Sequence, residues 1–328
     1  MNQTELGNRI NLDNNVPINF LKEKAEFDKA RALPNHLEQG NKHHFAGDNE
    51  QAVASYNNAL ALDPNNAHIH YNKGVALKTM NDNQGALECF NKAISLNPDY
   101  VEAYYNKGIT LKTLGRRQEA DACYDKVISL KPLSAKAFCN KGLVLMDLGK
   151  KEEALYCYDE AIHIDPRCAD AYVNKGAALN TMGKKEEALA CYDQAITFDP
   201  SLPEAYYNKA SLLKVMGKKE EAVEFFDKAI RLRSKYVNAH YQKGLTLKAF
   251  GNKEDAIKCF DKTIVLNPNH ADAHYNKGLA LNDLGQKEEA IGCFDQALSI
   301  SNTNEKDFYQ KGTALKALGK KRRSCCLL

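Results

Sequence analysis

Apolar residues recur at helical spacing along almost the whole chain. In residues 101–134, Ala103, Tyr104, Gly108 and Leu111 fall on one stripe, with Lys107 among them. Ala120, Cys123, Tyr124, Val127 and Ile128 form a second stripe. Apolar positions that return every three or four residues predict helices with one face turned to a core. Gly115 separates the stripes, where a glycine closes a helix. Lys131-Pro132 stops the second, because proline cannot continue a helix interior. The predicted unit is a helix, a tight turn, a second helix and a proline-marked turn.

This unit repeats. Tyr-Asn-Lys-Gly stands at 71–74, at 105–108 and at 275–278, which sets a period of 34 residues. Degenerate copies fill the gaps: Asn140-Lys141-Gly142, Asn174-Lys175-Gly176, Asn208-Lys209-Ala210, Gln242-Lys243-Gly244 and Gln310-Lys311-Gly312. One helical hairpin cannot bury its apolar face alone, and stacked neighbours complete the core. Such stacks present extended surfaces suited to binding other proteins.

Small residues mark where the helices approach. Gly108 and Ala120 are predicted at the crossing within one hairpin, with Gly74 and Ala86, Gly176 and Ala188, or Gly278 and Ala290 as equivalents. Tyr124, Tyr158, Tyr192, Phe226, Phe260 and Phe294 are expected to fill the adjoining space. The segment Gly-Lys-Lys-Glu-Glu at 149–153, 183–187 and 217–221 puts acids in the first turn of the second helix. That complements the helix dipole, so these charge runs read as a solvated feature of the fold.

The series Tyr104, Gly108, Leu111, Ala120, Tyr124, Val127 and Pro132 resembles the tetratricopeptide repeat. The pattern covers residues 33–304 as eight repeats, followed by a lone first helix at 305–319 that would cap the array. The resemblance implies an all-α fold, a right-handed superhelical solenoid of helix-turn-helix units. It also implies a non-catalytic scaffold that binds a partner segment in its concave groove. Departures are few. Val127 and Thr263 replace the usual late alanine, and the unit at 203–236 has Ala210 for glycine and Ser234 for proline. The joint after Ser234 is therefore expected to be less sharply defined. Ahead of the repeats lies an N-terminal segment, 1–32. Its residues 1 to about 16 are Asn-rich and predicted to lack fixed structure, and residues 18–32 suit a short helix covering the first repeat.

The resemblance places the first helix of each repeat on the concave side. Asn72, Asn106, Asn140, Asn174, Asn208 and Asn276 recur there, with Gln242 and Gln310 as amide substitutes. The row is similar to the asparagine ladder of the O-GlcNAc transferase repeat domain, where amides hold the main chain of an extended peptide. A carboxamide offers donor and acceptor together, so it pairs with a peptide N–H and C=O. Tyr71, Tyr105, Tyr207, Tyr241, Tyr275 and Tyr309 adjoin the row. Val75, Ile109, Leu143 and Leu279 add an apolar floor, and Lys78, Lys112, Lys214 and Lys248 flank it. Duplication copies used and unused residues alike, so recurrence leaves both a peptide-binding and a structural role open. The chaperone-tail clamp of some tetratricopeptide domains is not matched. Asn41 fits one clamp position, but Leu37 stands where a lysine is needed, and Glu102 and Asn106 replace its basic pair.

Composition narrows the partners. The formal net charge is +3, and Lys320, Lys321, Arg322 and Arg323 contribute +4, leaving −1 for the rest. No basic stripe argues for nucleic acid. No apolar run is long enough for a transmembrane helix, and Met1–Phe20 lacks a signal core. Of ten cysteines, six recur at the period: Cys89, Cys123, Cys157, Cys191, Cys259 and Cys293. Packed helices lie about 8–10 Å apart, beyond the roughly 7 Å Cα separation a disulfide tolerates. These are predicted to be small apolar side chains in a reducing compartment, with no metal and no cofactor. His70, His240 and His274 stand where Tyr104, Phe138 and Tyr172 stand in other repeats and are expected to pack as rings. No phosphate loop or nucleophile elbow is present, so no enzyme is predicted. The helical repeats of protein prenyltransferases rely on tryptophan, and the chain has none.

After Gly319-Lys320-Lys321 the repeat pattern gives way to Arg322-Arg323-Ser324-Cys325-Cys326-Leu327-Leu328. This resembles a C-terminal prenylation box on Cys325, with a final leucine that favours geranylgeranyl. Cys326 would be a second acceptor if both are modified. A lipid chain beside a polybasic patch anchors stably, each basic residue adding about 1 kcal/mol at an anionic surface. The resemblance implies a eukaryotic prenyltransferase as modifying enzyme and residence on the cytosolic face of a membrane. The chain would be a eukaryotic cytosolic protein or a bacterial effector delivered into a host cell. The alternative is a soluble co-chaperone or complex-assembly adaptor with an unmodified tail. The lone helix at 305–319 would favour a monomer.

Overall fold

The structure, a computed structural model, describes residues 18–301 together with 309 and 311, and for residues 18–31 the backbone alone. Among the described residues there are sixteen α-helices and no strand. The first helices of the hairpins are α1 (Ile18–Phe45), α3 (Ala67–Thr79), α5 (Val101–Thr113), α7 (Ala135–Asp147), α9 (Ala169–Thr181), α11 (Pro203–Val215), α13 (Val237–Ala249) and α15 (Ala271–Asp283). The second helices are α2 (Asn49–Leu62), α4 (Asn83–Leu96), α6 (Arg117–Leu130), α8 (Lys151–Ile164), α10 (Lys185–Phe198), α12 (Lys219–Leu232), α14 (Lys253–Leu266) and α16 (Lys287–Ile300).

The turns follow from local chemistry. Gly115 closes α5 with φ 74°, and Asn81 takes the same left-handed position after α3 with φ 62°. Asp48, Asp82 and Asn252 cap α2, α4 and α14 by accepting from the amides of Gln51, Gly85 and Asp255. α8, α10 and α12 start at Lys150, Lys184 and Lys218 without a side-chain cap, and each carries two glutamates in its first turn instead.

The chain divides between Gly149 and Lys150 into two compact units, built alike. Within each, a hairpin's second helix packs against the first helix of the next hairpin, as α2 on α3 or α10 on α11. Successive first helices also touch, α1–α3–α5–α7 in one unit and α9–α11–α13–α15 in the other. Successive second helices of a unit do not. The first helices thus line the crowded, inner side of each unit.

Aromatic rings fill the hairpin crossings. Tyr56, Tyr124, Tyr192, Phe90, Phe226, Phe260 and Phe294 are fully buried. The facing glycine is required by space: a Cβ on Gly176 would lie 2.6 Å from the Tyr192 ring, and one on Gly108 2.9 Å from Tyr124. Ala210 takes this place in the unit at 203–236 and is buried against Phe226.

Two expectations are corrected. α1 is one continuous helix of 28 residues with Pro34 inside it, not a short helix at 18–32 followed by a new element. Proline removes one backbone hydrogen bond there, and Leu33 and Leu37 on either side pack on the Ala52–Tyr56 core and hold the helix. The joint after Ser234 is also as sharp as the others. The Tyr236 amide donates to the Arg233 carbonyl at 3.0 Å, as Tyr100 does to Asn97 at 3.1 Å, so backbone bonding shapes this turn without proline. The expectations for residues 1–16 and for the tail 320–328 lie outside the described residues. Of the helix at 305–319 only 309 and 311 are described, both helical.

Candidate functional site

The inner face carries a hydrogen-bonded network that links successive repeats. Tyr71 packs on Tyr100 at 5.0 Å and on Phe90 at 6.0 Å. Its hydroxyl accepts from the Asn106 side-chain nitrogen at 3.1 Å, across 35 residues. The other amide hydrogen of Asn106 goes to the Glu102 carbonyl at 3.0 Å. Lys78 donates to Asn106 Oδ1 at 2.5 Å, across 28 residues. The motif recurs. Asn140 donates to the Tyr105 hydroxyl at 2.9 Å, and Asn276 to Tyr241 at 3.1 Å. Lys214 donates to Gln242 at 2.7 Å and Lys248 to Asn276 at 2.6 Å. Burial raises the phenol pKa of Tyr71, Tyr105 and Tyr241 and lowers the ammonium pKa of Lys78, Lys214 and Lys248. A tyrosine, an asparagine and a lysine from adjacent hairpins thus satisfy one another.

The network is interrupted. Val173 and Asn180 stand at the spacings from Asn208 where tyrosine and lysine stand elsewhere, and the Asn208 side chain makes no hydrogen bond. Asn174 makes none either, Cys139 being the residue at tyrosine spacing before it. Asn72 approaches Asn41 Oδ1 and His68 Nε2, both at 3.3 Å. Asn41 also accepts from the Tyr56 hydroxyl at 2.8 Å, so the residue that matched a chaperone clamp is occupied within its own hairpin. The floor residues Val75, Ile109, Leu143 and Leu279 are half-buried. Ser211 takes the floor position on α11, and its hydroxyl is out of solvent with no partner.

A second polar row was missed in the sequence. Lys175 donates to Asp159 at 2.5 Å, Lys243 to Asp227 and Lys277 to Asp261 at 2.6 Å each, and Lys141, Lys209 and Lys311 pair likewise with Asp125, Asp193 and Asp295. Each joins a first helix to the preceding second helix across 16 residues. That spacing was the available signal. Asn57 and Asn91 hold the aspartate position before Lys73 and Lys107, so the row is absent there. Partly exposed pairs of this kind contribute about 0–1 kcal/mol each.

The histidines are anchored rings. His70, His240 and His274 place Nε2 2.9–3.0 Å from the carbonyl oxygens of Pro64, Ser234 and Pro268, six residues back. Burial lowers the His240 pKa. The cysteines at the period form no disulfide and are buried or half-buried, and burial raises the pKa of Cys89, Cys123, Cys191, Cys259 and Cys293. Among the described residues no cluster is placed to hold a metal, and no helix is long and apolar enough to cross a membrane. Lys320, Lys321, Arg322, Arg323, Cys325 and Cys326 lie outside the described residues.

Family comparison agrees with this geometry. Models described as tetratricopeptide repeat match residues 135–168, 169–202 and 203–236, and others 101–132 and 241–305. A model described as TPR repeat matches 40–81 and 78–115. The chain belongs to the tetratricopeptide repeat family. Comparison with curated proteins finds no match. Among solved structures, a tetratricopeptide repeat protein from Parabacteroides merdae ATCC 43184 is 20% identical, covering 76% of this chain and 99% of that one, with a TM-score of 0.65. The APC/C hetero-tetramer Cut9-Hcn1 is 16% identical over 81% of this chain and 52% of that one, with a TM-score of 0.61. YrrB, described as a TPR protein with an unusual peptide-binding site, is 24% identical over 57% of this chain and 97% of that one, at a TM-score of 0.49. The first two likenesses are of fold alone: an all-α tetratricopeptide-repeat solenoid.

Proposed function

We propose that the chain is a non-catalytic scaffold that binds an extended segment of a partner protein on its first-helix face. The observation that supports this most directly is the composition of that face. Half-buried tyrosines and carboxamides stand on rigid, hydrogen-bonded helices, with apolar floor residues beside them. Rigid aromatic and amide groups bind at small ordering cost. Hydrogen exchange of the full chain, with and without a peptide selected from a random library, tests the reading. Protection gathered on the first helices supports it. Protection confined to the second helices overturns it.

The tail supplies the second half of the reading. A geranylgeranyl group on Cys325, beside Lys320, Lys321, Arg322 and Arg323, would hold the scaffold on the anionic cytosolic face of a eukaryotic membrane. Partner capture then becomes membrane recruitment. Intact mass of the protein recovered from eukaryotic cells tests this: one geranylgeranyl group gained, the residues after Cys325 lost and a methyl added. An unmodified mass removes the anchor and leaves a peptide-binding scaffold.

A further inference from the structure

We propose that the basic tail, residues 320–328, docks as a latch on the protein's own second-helix side, in the cleft between α14 and α16. The contact needs no lipid on Cys325 and is independent of peptide binding on the inner face.

The cleft exists because successive second helices do not touch. α15 forms its floor, and its volume is about 540 Å³. Ile257 of α14, Leu281 of α15 and Leu284 just beyond α15 supply apolar surface, and Leu284 is 37% exposed. Glu254 stands in the first turn of α14 and Glu289 in the first turn of α16. Two lysines also line the cleft, but Lys258 is paired with Asp255 at 2.8 Å and Lys277 with Asp261 at 2.6 Å. Glu254 and Glu289 have no basic partner among the described residues. The cleft thus offers an apolar floor and two carboxylates without a counter-charge.

Glu289 is the exception in its row. Every other second helix that carries an acid at this place pairs it. Glu119 meets Arg116, Glu153 meets Lys150, Glu187 meets Lys184 and Glu221 meets Lys218, at 2.6, 3.3, 3.7 and 3.8 Å. Asp255 meets Lys258. On α16, Gln286 stands where those first four helices have arginine or lysine. Glu289 is left open to a cation from elsewhere.

Position and chemistry select the tail as the occupant. Lys311 is helical, and its ammonium pairs with Asp295 of α16, the helix that walls the cleft. Lys320 follows nine residues later. An extended chain advances about 3.3 Å per residue, so Lys320 to Leu328 spans roughly 26 Å, against about 10–12 Å for the width of a helix with its side chains. The tail is long enough to cross α16 and enter the cleft. Its residues come in the order that path requires. Lys320, Lys321, Arg322 and Arg323 come first and would meet Glu289 and Glu254. Leu327 and Leu328 follow and would cover Ile257, Leu281 and Leu284.

A tethered segment needs little intrinsic affinity. At an effective concentration on the order of 1 mM, a contact of about 0.1 mM affinity stays closed about nine-tenths of the time. Bases held by Glu254 and Glu289 are withdrawn from an anionic lipid surface, so the latch and a membrane would compete for the same four side chains.

Limited trypsin digestion of the full-length, unmodified chain reads the latch, with loss of the tail followed by intact mass. Cleavage tracks the open population when opening and closing are fast. Glu254→Gln with Glu289→Gln removes both carboxylates, and neither side chain has a bond within the protein to lose. That variant should lose the tail several times faster than wild type, up to about tenfold. Leu327→Ser with Leu328→Ser should speed the loss as well. Glu186→Gln with Glu221→Gln makes the same charge change at the matching positions two repeats earlier and should keep the wild-type rate. Equal rates in wild type and the Glu254/Glu289 variant, or equal acceleration in the control pair, overturn the latch. Wild-type protection that fades on tenfold dilution would put the tail in the cleft of a second copy and overturns it too. An unmodified mass in eukaryotic cells would remove the anchor proposed above and leave this result standing.

Discussion

Asn106 and Tyr71 meet side chain to side chain across 35 residues, the amide donating to the phenol oxygen at 3.1 Å. The contact joins two successive repeats, and Lys78 completes it from the other side of the amide. Removing Asn106 leaves a half-buried hydroxyl and a desolvated ammonium without their partner. Asn106→Ala should therefore destabilise by about 1–3 kcal/mol. Asn208→Ala, which breaks no bond in the protein, should stay within about 0.5 kcal/mol of wild type. Urea denaturation of the two variants compares them directly. Equal losses would mean that the network adds nothing to stability.

The hairpin crossing is limited by space. Gly176→Ala would set a methyl 2.6 Å from the Tyr192 ring and force that buried ring aside. The expected cost is about 1–3 kcal/mol, that of overpacking a filled core. Gly149→Ala meets no atom within 4 Å but must hold φ near 79°, which costs about 1–2 kcal/mol through backbone strain alone. Gly176→Ala combined with Tyr192→Phe should not relieve its cost, because the clash is with the ring carbons. Recovery in that double variant would show that the hydroxyl, not the ring, sets the limit.

His240 gives the protein an acid-side sensitivity. Burial lowers its pKa below the ordinary 6.5, while the ring donates to the Ser234 carbonyl. The unfolded chain binds the proton more readily than the folded one. The stability linked to this ring is thus fully present above pH 6.5 and is lost as pH falls through the lowered pKa. His240→Phe should flatten the decline in urea midpoint as pH falls below 6.5. Identical slopes for the two proteins would assign the decline to other groups.

Alkaline titration should act in the opposite sense. Burial pushes the phenol pKa of Tyr56, Tyr100, Tyr236 and Tyr241 up to about 12 from the ordinary 10.0. The folded state then holds protons that the unfolded state releases. Stability from these groups is complete below pH 10 and falls as pH rises from 10 toward 12. Phenolate absorbance should lag behind that of free tyrosine and then rise together with the loss of helical circular dichroism. Early, independent ionisation of all the tyrosines would contradict this.

Much of the fold was legible in the residues. The stripe of Ala103, Tyr104, Gly108 and Leu111, the turn at Gly115 and the small-to-aromatic pairing of Gly108 with Tyr124 are local signals, and the structure keeps each of them. α1 was less legible, because a proline at 34 argues locally for a break while the packing of Leu33 and Leu37 is a tertiary matter. The candidate site was legible only as a row of amides. Nothing in the row itself separates Asn106 from Asn208, since both sit in a Tyr-Asn-Lys context with identical neighbours.

The sequence by itself determined the period, the hairpin and which residues meet within it, because those contacts are set by helix geometry over a few turns. Tertiary structure alone decided which amides are bonded. That depends on residues 28 and 35 positions away, brought into reach by the packing of one hairpin on the next. Val173 and Asn180 look like ordinary variation along the chain. Only when α9 and α11 stand side by side does their chemistry become a gap in the network, with Asn208 left open at its edge.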